Sequence, residues 1–373
     1  MVYNWYRINE GGRKMLYEKL TYQDDFPINI TIASIDEYPL HYHKDIEFVY
    51  VLSGEVKLKN GYCFYNLTEG DVFTNAGHEV HYLTSEGKEN VCALIQISTK
   101  YFSKHFPNLR EACYRTYTNK DVDRRHAHLR EMLSHLVSEY CEKNFDYKKR
   151  CTDLVCDIIS FMDKYFNLFA FDEDDVVVNF EGANQISIER ISRIITYIYQ
   201  HYQEKLTLED LSNIEHLSTF YISHIIKNCT GMNFREFLCF ARVEWSEIQL
   251  LDTNKKVSQI ARDVGFSTTA YYEKYFEKWF KNTPLEHRKL FAPKVLSELT
   301  QPRLVYIDPE DAARLCAKEL SDAAPNRLPI SFTLTADSWD EIKKSLKELL
   351  SGPDSDIVKD AAAREGVTIH LKL

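Results

Sequence analysis

The sequence has no apolar run of about 18 residues, the length a helix needs to cross a bilayer. Met1 to Glu10 is polar and charged where a secretory signal needs an apolar stretch. Both absences predict a cytoplasmic protein with no membrane partner. Glycine (12) and proline (10) are scarce in 373 residues, which excludes collagen-like and low-complexity chains. The nine cysteines are odd in number and contain no C-x-x-C pair, so neither a disulfide framework nor a zinc ribbon is written here and reduced, mostly buried thiols are expected. Positive charge is also short: 46 Lys and Arg stand against 56 Asp and Glu, a net charge of −10, which argues against a chain coated in nucleic acid. The deficit is uneven. Lys and Arg against Asp and Glu count 21 to 29 in residues 1–187, 14 to 13 in 188–292 and 10 to 13 in 301–373, so the middle segment is the one suited to phosphate.

What is present divides into regions. Residues 28–98 read as short β-branched or aromatic strands, among them Ile28-Asn-Ile-Thr-Ile32, Glu47-Phe-Val-Tyr-Val-Leu52 and Val91-Cys-Ala-Leu-Ile-Gln-Ile97. Turn pairs such as Ser53-Gly54, Asn60-Gly61 and Glu69-Gly70 separate them, the spacing of a closed barrel or jelly roll. From about Asp121 the period becomes helical. Leu129, Met132, Leu133, Leu136, Val137 and Tyr140 make one stripe, and Leu154, Val155, Ile158, Ile159 and Met162 another. These two helices either pack under the barrel or pair with a second copy; a homodimer through helices in 126–168 is the expectation. An acidic, then Gly/Asn-containing stretch over 171–184 reads as a linker, and about seven short helices follow to Leu290. Beyond Pro293 the composition shifts: the final 73 residues hold nine Ala, the first 300 eleven. Alternating strand and helix patterns there suggest a separate small α+β module.

Within 188–292 one local pattern occurs twice: a short helix, a tight turn and a second helix opened by Ser218 or Ser267 as cap. This is the helix-turn-helix arrangement, whose second helix enters a major groove. Here the chain resembles the AraC/XylS family of transcriptional regulators. The resemblance rests on Leu217-Ser218-x-x-Tyr221-Ile222-Ser223, Lys227-x-x-x-Gly231-Met232, Arg242-Val-Glu244, Ile260-Ala261-x-x-Val264-Gly265-Phe266-Ser267, Tyr271-Tyr272 and Thr283-Pro284-x-x-x-Arg288. It implies that Thr219, Phe220, Ser223 and His224, then Thr268, Thr269, Tyr272 and Glu273, face bases, while Lys227, Lys274 and Lys278 meet phosphates. Tyr221, Ile222, Ile225, Tyr271, Tyr275 and Phe276 read as core, being apolar at helical spacing. The sequence departs from the family at His224, which replaces an Arg, at Glu273 and Glu277, which bring negative charge, and at Ser212 and Ser246, which replace Ala.

In the strand-rich region, His41-Tyr-His43-Lys-Asp-Ile-Glu47, then Gly54, and Gly70-x5-Ala76-x-His78-x-x-His81 resemble the two cupin motifs. Alternation in His41-x-His43 points both rings to one side of a strand. His41, His43, Glu47 and His81 form a candidate shell for Fe, Mn, Ni or Zn, although no cofactor is required by the regulator reading. Ile35 and His78 replace glycines of that pattern and Ala76 replaces its proline. The barrel implied by the resemblance holds an effector, a sugar or related metabolite, among His41, His43, Glu47, Tyr50, Tyr62 and His81.

The expected organisation is multidomain. Residues 1–115 form an all-β cupin-like sensing barrel, 116–187 a helical dimerisation region and linker, 188–292 an all-α double helix-turn-helix, and 293–373 a small α+β module. The expected function is a DNA-binding transcriptional regulator, not an enzyme, with double-stranded DNA, a small effector and RNA polymerase as partners; the alternative is a metal-dependent cupin enzyme with a helical accessory. Because acidic residues share the reading helices, we predict few phosphate contacts and a shallow fall of DNA affinity with salt. A log–log slope implying about ten released ions would contradict this.

Overall fold

The computed structural model describes residues 16–107 except 24 and 25, positions 109, 110, 112, 114, 116 and 117, and residues 124–166, 169–171, 177–179, 185–297, 300–323, 330–335 and 367–372. Six strands come first: β1 (Ile28–His41), β2 (Ile46–Asn60), β3 (Cys63–Thr68), β4 (Val72–Asn75), β5 (His81–Thr84) and β6 (Asn90–Ile97). The hub is β2, whose first part pairs with β4 and β6 and whose later part pairs with β3 and β5. Because β1 pairs with both β5 and β6, the ring β2-β5-β1-β6 closes on itself and the barrel expectation holds. The strand β2 changes partners at a register shift between Val51 and Ser53. Gly54 follows with φ +75°, and a Cβ there would lie 2.0 Å from the carbonyl oxygen of Glu89, so only glycine fits.

Alternation along β2 sorts its side chains into two cores. Ile46, Phe48, Tyr50 and Leu52 join Ile28, Ile30 and Ile95 on the outer face, while Val49, Val51, Leu58, Phe73 and Leu94 fill the lumen. After α1 (Thr99–Phe102), the outer face is covered by α2 (Arg124–Glu142) and α3 (Tyr147–Tyr165). Leu129, Leu133, Leu136, Val137, Val155, Ile158 and Met162 are all 0% exposed within a single chain. These positions of both stripes are thus taken up by packing within one chain, while Met132, Tyr140 and Leu154 are half-buried against the same core.

In place of a plain linker, β7 (Phe169–Phe171) and β8 (Val177–Asn179) form a two-stranded antiparallel ladder. Seven helices follow, as expected: α4 (Gln185–His201), α5 (Leu208–Glu215), α6 (Thr219–Thr230), α7 (Phe234–Asp252), α8 (Val257–Asp263), α9 (Thr269–Phe280) and α10 (Pro284–Phe291). Side-chain caps start α5, α6, α7, α9 and α10. Thr207 with Asp210, Asn233 with Glu236 and Thr283 with Glu286 form reciprocal capping boxes that satisfy first-turn N–H groups. One 3₁₀ turn, Ala292–Lys294, leads to β9 (Arg303–Tyr306) and α11 (Pro309–Ala323), and β10 (Ile330–Thr335) pairs in parallel with β11 (Val367–Lys372). The helix expected over 338–350 lies outside the described residues.

The tail departs from the separate module expected. Strand β9 adds antiparallel to β1 through Ala33 to Glu37, with Arg303 ion-paired to Asp36 and Glu37. Helix α11 lies on α2 and buries Ala312 and Cys316 in the outer core. Residues 303–323 therefore complete the N-terminal domain.

The helical domain docks on the barrel rim. Tyr62 inserts its ring 5.5 Å from Trp279 and 5.8 Å from Phe240. Beside it Lys59, 1% exposed, donates to Glu247 Oε1 at 2.8 Å, and His287 Nε2 meets the same oxygen at 2.8 Å. Burial disfavours every charge in this triad. Lys59 and His287 together nonetheless hold the Glu247 carboxyl below the usual carboxylate range, while burial lowers His287 despite the facing carboxylate. Replacing Lys59 by Met should cost about 3–5 kcal/mol of stability, and the paired K59M/E247M change far less, measured by denaturant unfolding. Since the folded His287 value is depressed, its contribution is present above the unfolded imidazole value of about 6.5 and is lost as the pH falls below it. Thermal midpoints should drop from pH 7.5 to 5.5, and drop less in His287→Gln.

Candidate functional site

The DNA-reading candidates fall on α6 and α9, each the second helix of a helix-turn-helix pair. Ser218 caps α6 by accepting from the Tyr221 N–H at 3.2 Å. The second cap is Thr268, which accepts from the Tyr271 N–H at 3.2 Å, so Ser267 stands one residue outside the helix it was expected to open. The turns differ in kind: His216 takes the left-handed conformation in the first (φ 53°), and Gly265 supplies it in the second (φ 91°). A Cβ on Gly265 would meet the Gln203 carbonyl oxygen at 2.7 Å. Arg242 on α7, beside Gly265, ties the second turn to the end of α4, donating to the Tyr202 and Glu204 carbonyls at 2.7 and 2.8 Å.

Thr219, Phe220, His224 and Lys227 on α6 are exposed, with Phe220 at 80%, and Ser223 is half-buried beside them. Near α9, Thr268, Lys274 and Lys278 are exposed, while Thr269 and Glu273 are half-buried. Tyr272 cannot face bases: it is 0% exposed and its hydroxyl donates to Ser246 Oγ at 3.0 Å. Ser246 stands where the family packs Ala, and there it supplies the acceptor a buried tyrosine needs. Tyr221, read from periodicity as core, is exposed next to Phe220. Ile222, Ile225 and Phe276 are buried as expected, and Tyr271 and Tyr275 are half-buried. Two of the three phosphate lysines have internal contacts. Lys227 donates to the Gly231 carbonyl at 2.6 Å, and Lys278 lies 3.8 Å from Glu236.

The barrel brings His41, His43, Glu47 and His81 together, with one ligand atom of each within 4.8 Å of the others and every residue at most 2% exposed. Each imidazole is oriented by a backbone carbonyl: Nδ1 of His41, His43 and His81 lies 2.8 Å from the oxygens of Pro39, Asp45 and Glu79. With Nδ1 committed to that carbonyl, Nε2 is the ring atom left to face a metal. All three Nε2 atoms are buried without a hydrogen-bond partner among the described residues. Glu47 is fixed in turn, accepting from Asn75 Nδ2 at 3.0 Å and Gln96 Nε2 at 2.8 Å. Burial alone would raise Glu47, yet the facing His43 and His81 hold its carboxyl well below the usual range. Burial, then repulsion by His81, pushes His41 well below the ordinary imidazole value. Orphaned nitrogens converging on an anionic carboxylate fit a divalent metal.

Glu18, on the segment before β1, was missed. Its Oε2 lies 3.2 Å from His41 Nε2, its Oε1 accepts from the Tyr38 hydroxyl at 2.9 Å, and burial pushes its carboxyl up. No sequence motif marks it. Two expected pocket residues lie elsewhere. Tyr50 sits on the outer face of β2, its hydroxyl 3.0 Å from Ser134 on α2, because even-numbered positions of that strand turn away from the lumen. Tyr62 is taken up by the contact with the helical domain. Replacing Phe220 by Ala should weaken specific DNA binding by about 1–3 kcal/mol at unchanged unfolding midpoint. Tyr272→Phe should instead lower stability by about 1 kcal/mol and leave base preference intact, with both read by fluorescence anisotropy and unfolding.

Comparison with known proteins agrees with this geometry. Residues 211–290 match the helix-turn-helix domain model and residues 30–97 the cupin domain model. An uncharacterized HTH-type transcriptional regulator of Bacillus subtilis, YdeC, is 24% identical over 266 residues, covering 68% of this chain and 86% of the relative. An uncharacterized HTH-type regulator of Staphylococcus aureus is 24% identical over 266 residues, but the chain spans only 34% of its length. Among solved structures, the C-terminal domain of the two-component response regulator yesN from Fusobacterium nucleatum is 32% identical, covering 27% of this chain and 98% of that domain, with a TM-score of 0.26. Paired helix-turn-helix units behind a cupin barrel, each region matched by its own domain model, give this chain an AraC-type helix-turn-helix domain and a cupin domain, and its relatives are HTH-type transcriptional regulators.

Proposed function

We propose that the chain regulates transcription by sequence-specific DNA binding that responds to a small effector, and that His41, His43, Glu47 and His81 hold a divalent metal. The reading is carried by the contact path joining the two halves. The His78 N–H donates to the His43 carbonyl at 2.7 Å, and the His78 ring lies 5.0 Å from Trp245 on α7, the helix that connects both helix-turn-helix units. A change at the histidine cluster therefore reaches the DNA-reading domain through one loop. Such a path regulates only if the effector favours one arrangement over another.

A metal in this position would supply a cross-link between β1, β2 and β5 and a fixed positive charge beneath the rim loop. His41 would tie it to the end of β1, His43 to the segment between β1 and β2, Glu47 to β2 and His81 to β5. Catalysis at the centre is the rival reading, and burial of all four ligands and of Glu18 at 3% exposure or less counts against it. Val49, Val51, Leu58, Phe73 and Leu94 pack together inside the barrel.

Elemental analysis of the purified protein from metal-supplemented cells should find about one equivalent of Fe, Mn, Ni or Zn. His43→Ala should lose it, and chelation should lower the thermal midpoint of the wild-type protein alone. Metal-free protein with an unchanged midpoint would overturn the metal assignment. Failure to select any DNA fragment over random sequence would overturn the regulator.

A further inference from the structure

We infer that Glu18 is a further ligand of the metal proposed for the barrel, and that segment 16–18 carries metal occupancy to the seating of the helical domain. The inference rests on the metal reading and deepens it. Glu18 stands before β1 and outside both cupin motifs. It meets the histidine cluster at the His41 corner: its Oε2 lies 3.2 Å from His41 Nε2, and neither atom has a hydrogen-bond partner among the described residues. Donor atoms that share one divalent metal at about 2.1 Å stand roughly 3.0–3.4 Å apart, the edge of an octahedron or a tetrahedron. The Glu47 oxygens lie 3.4 Å from His81 Nε2 and 3.6 Å from His43 Nε2, so the contact made by Glu18 is shorter than either.

Aim and charge favour the same role. The Tyr38 hydroxyl donates to Glu18 Oε1 at 2.9 Å and leaves Oε2 to face the cluster, much as Asn75 and Gln96 hold Glu47. A divalent cation among three neutral imidazoles and Glu47 alone would bury one net positive charge, and a second carboxylate cancels it. The same residue is tied to the contact between domains. The Glu18 N–H donates to the Tyr42 carbonyl at 2.9 Å and the Tyr42 N–H to the Leu16 carbonyl at 2.8 Å, which lays the segment beside the end of β1. Leu16, 0% exposed, joins Leu40 and Val80 of the barrel with Leu251 of α7 and Phe291 of α10 in one apolar cluster. Glu18 thus stands two residues along the chain from the interdomain core. A cation bound by Glu18 adds an anchor to the segment, and so to the position of Leu16.

The test uses the full chain with Zn²⁺ or Co²⁺. Glu18→Gln should weaken Zn²⁺ binding about tenfold or more in competition with a chromophoric chelator, and should change the visible absorption of the Co²⁺ form, which follows the number and kind of ligands. In the wild-type chain Zn²⁺ should slow amide hydrogen exchange at 16–18 and Tyr42, and in the parts of α7 and α10 that hold Leu251 and Phe291; Glu18→Gln should lose both effects. Unchanged affinity and Co²⁺ absorption in Glu18→Gln would overturn the inference. So would exchange at 16–18 that ignores Zn²⁺ in the wild-type chain, a comparison that does not depend on the variant's folding. Weakened binding with an unchanged Co²⁺ spectrum would make Glu18 a positioning residue for His41 and overturn its role as a ligand, and protection confined to 16–18 would overturn the link to the helical domain. A wild-type chain that binds neither ion loses the metal reading itself, whereas one that binds both ions just as its Glu18→Gln variant does loses only this inference.

Discussion

The arrangement of the molecule depends on one buried ionic contact, the meeting of Lys59 from the barrel with Glu247 and His287 from the helical domain. Removing three ionisable groups from water is expensive, and their mutual attraction returns that expense only when all are in place. The triad therefore contributes less to the strength of docking than to its register. Apolar neighbours such as Phe291 and Leu251 tolerate sliding, whereas a carboxylate shared by a lysine and a histidine does not. Since Glu247 lies on α7, fixing it fixes the axis on which both reading helices hang.

The histidine cluster obeys the same logic with a different partner. Its rings are aimed by backbone carbonyls and its carboxylate by two amides, so the protein has spent conformational freedom on pointing three lone pairs at one place. In a filled lumen with apolar surroundings, such groups are satisfied by a cation or by protons. Burial raises the Glu18 carboxyl and so favours its neutral form beside the His41 imidazole.

Legibility in the sequence followed the range of the governing interaction. Caps, the left-handed Gly265 and strand alternation are local, and Ser218, Gly265 and the helix boundaries were readable for that reason. The cluster of His41, His43, Glu47 and His81 was readable because motif spacing carries it. Errors arose where a tertiary partner decides. Tyr221 and Tyr272 both stand on helices at apolar spacing, and only the position of Ser246 on α7 determines which one is core. Tyr50 was placed inside the barrel by residue type, although the parity of β2 sets it outside. Glu18 carries no pattern of its own. The fate of the α2 stripe depended on α11, a helix almost 170 residues distant whose amphipathic face matched it only in three dimensions.

The return of the chain to the barrel after the DNA-binding helices changes what those helices are. Leu296 donates its N–H to the Leu40 carbonyl at 2.9 Å, and β9 then joins the sheet beside β1. The reading domain is therefore an insertion, held to its host at both ends, and not a pendant on one tether. A pendant explores a sphere; an insertion hinges about the line through its two attachments. Two covalent connections, not one, therefore limit how far the helical domain can move against the barrel.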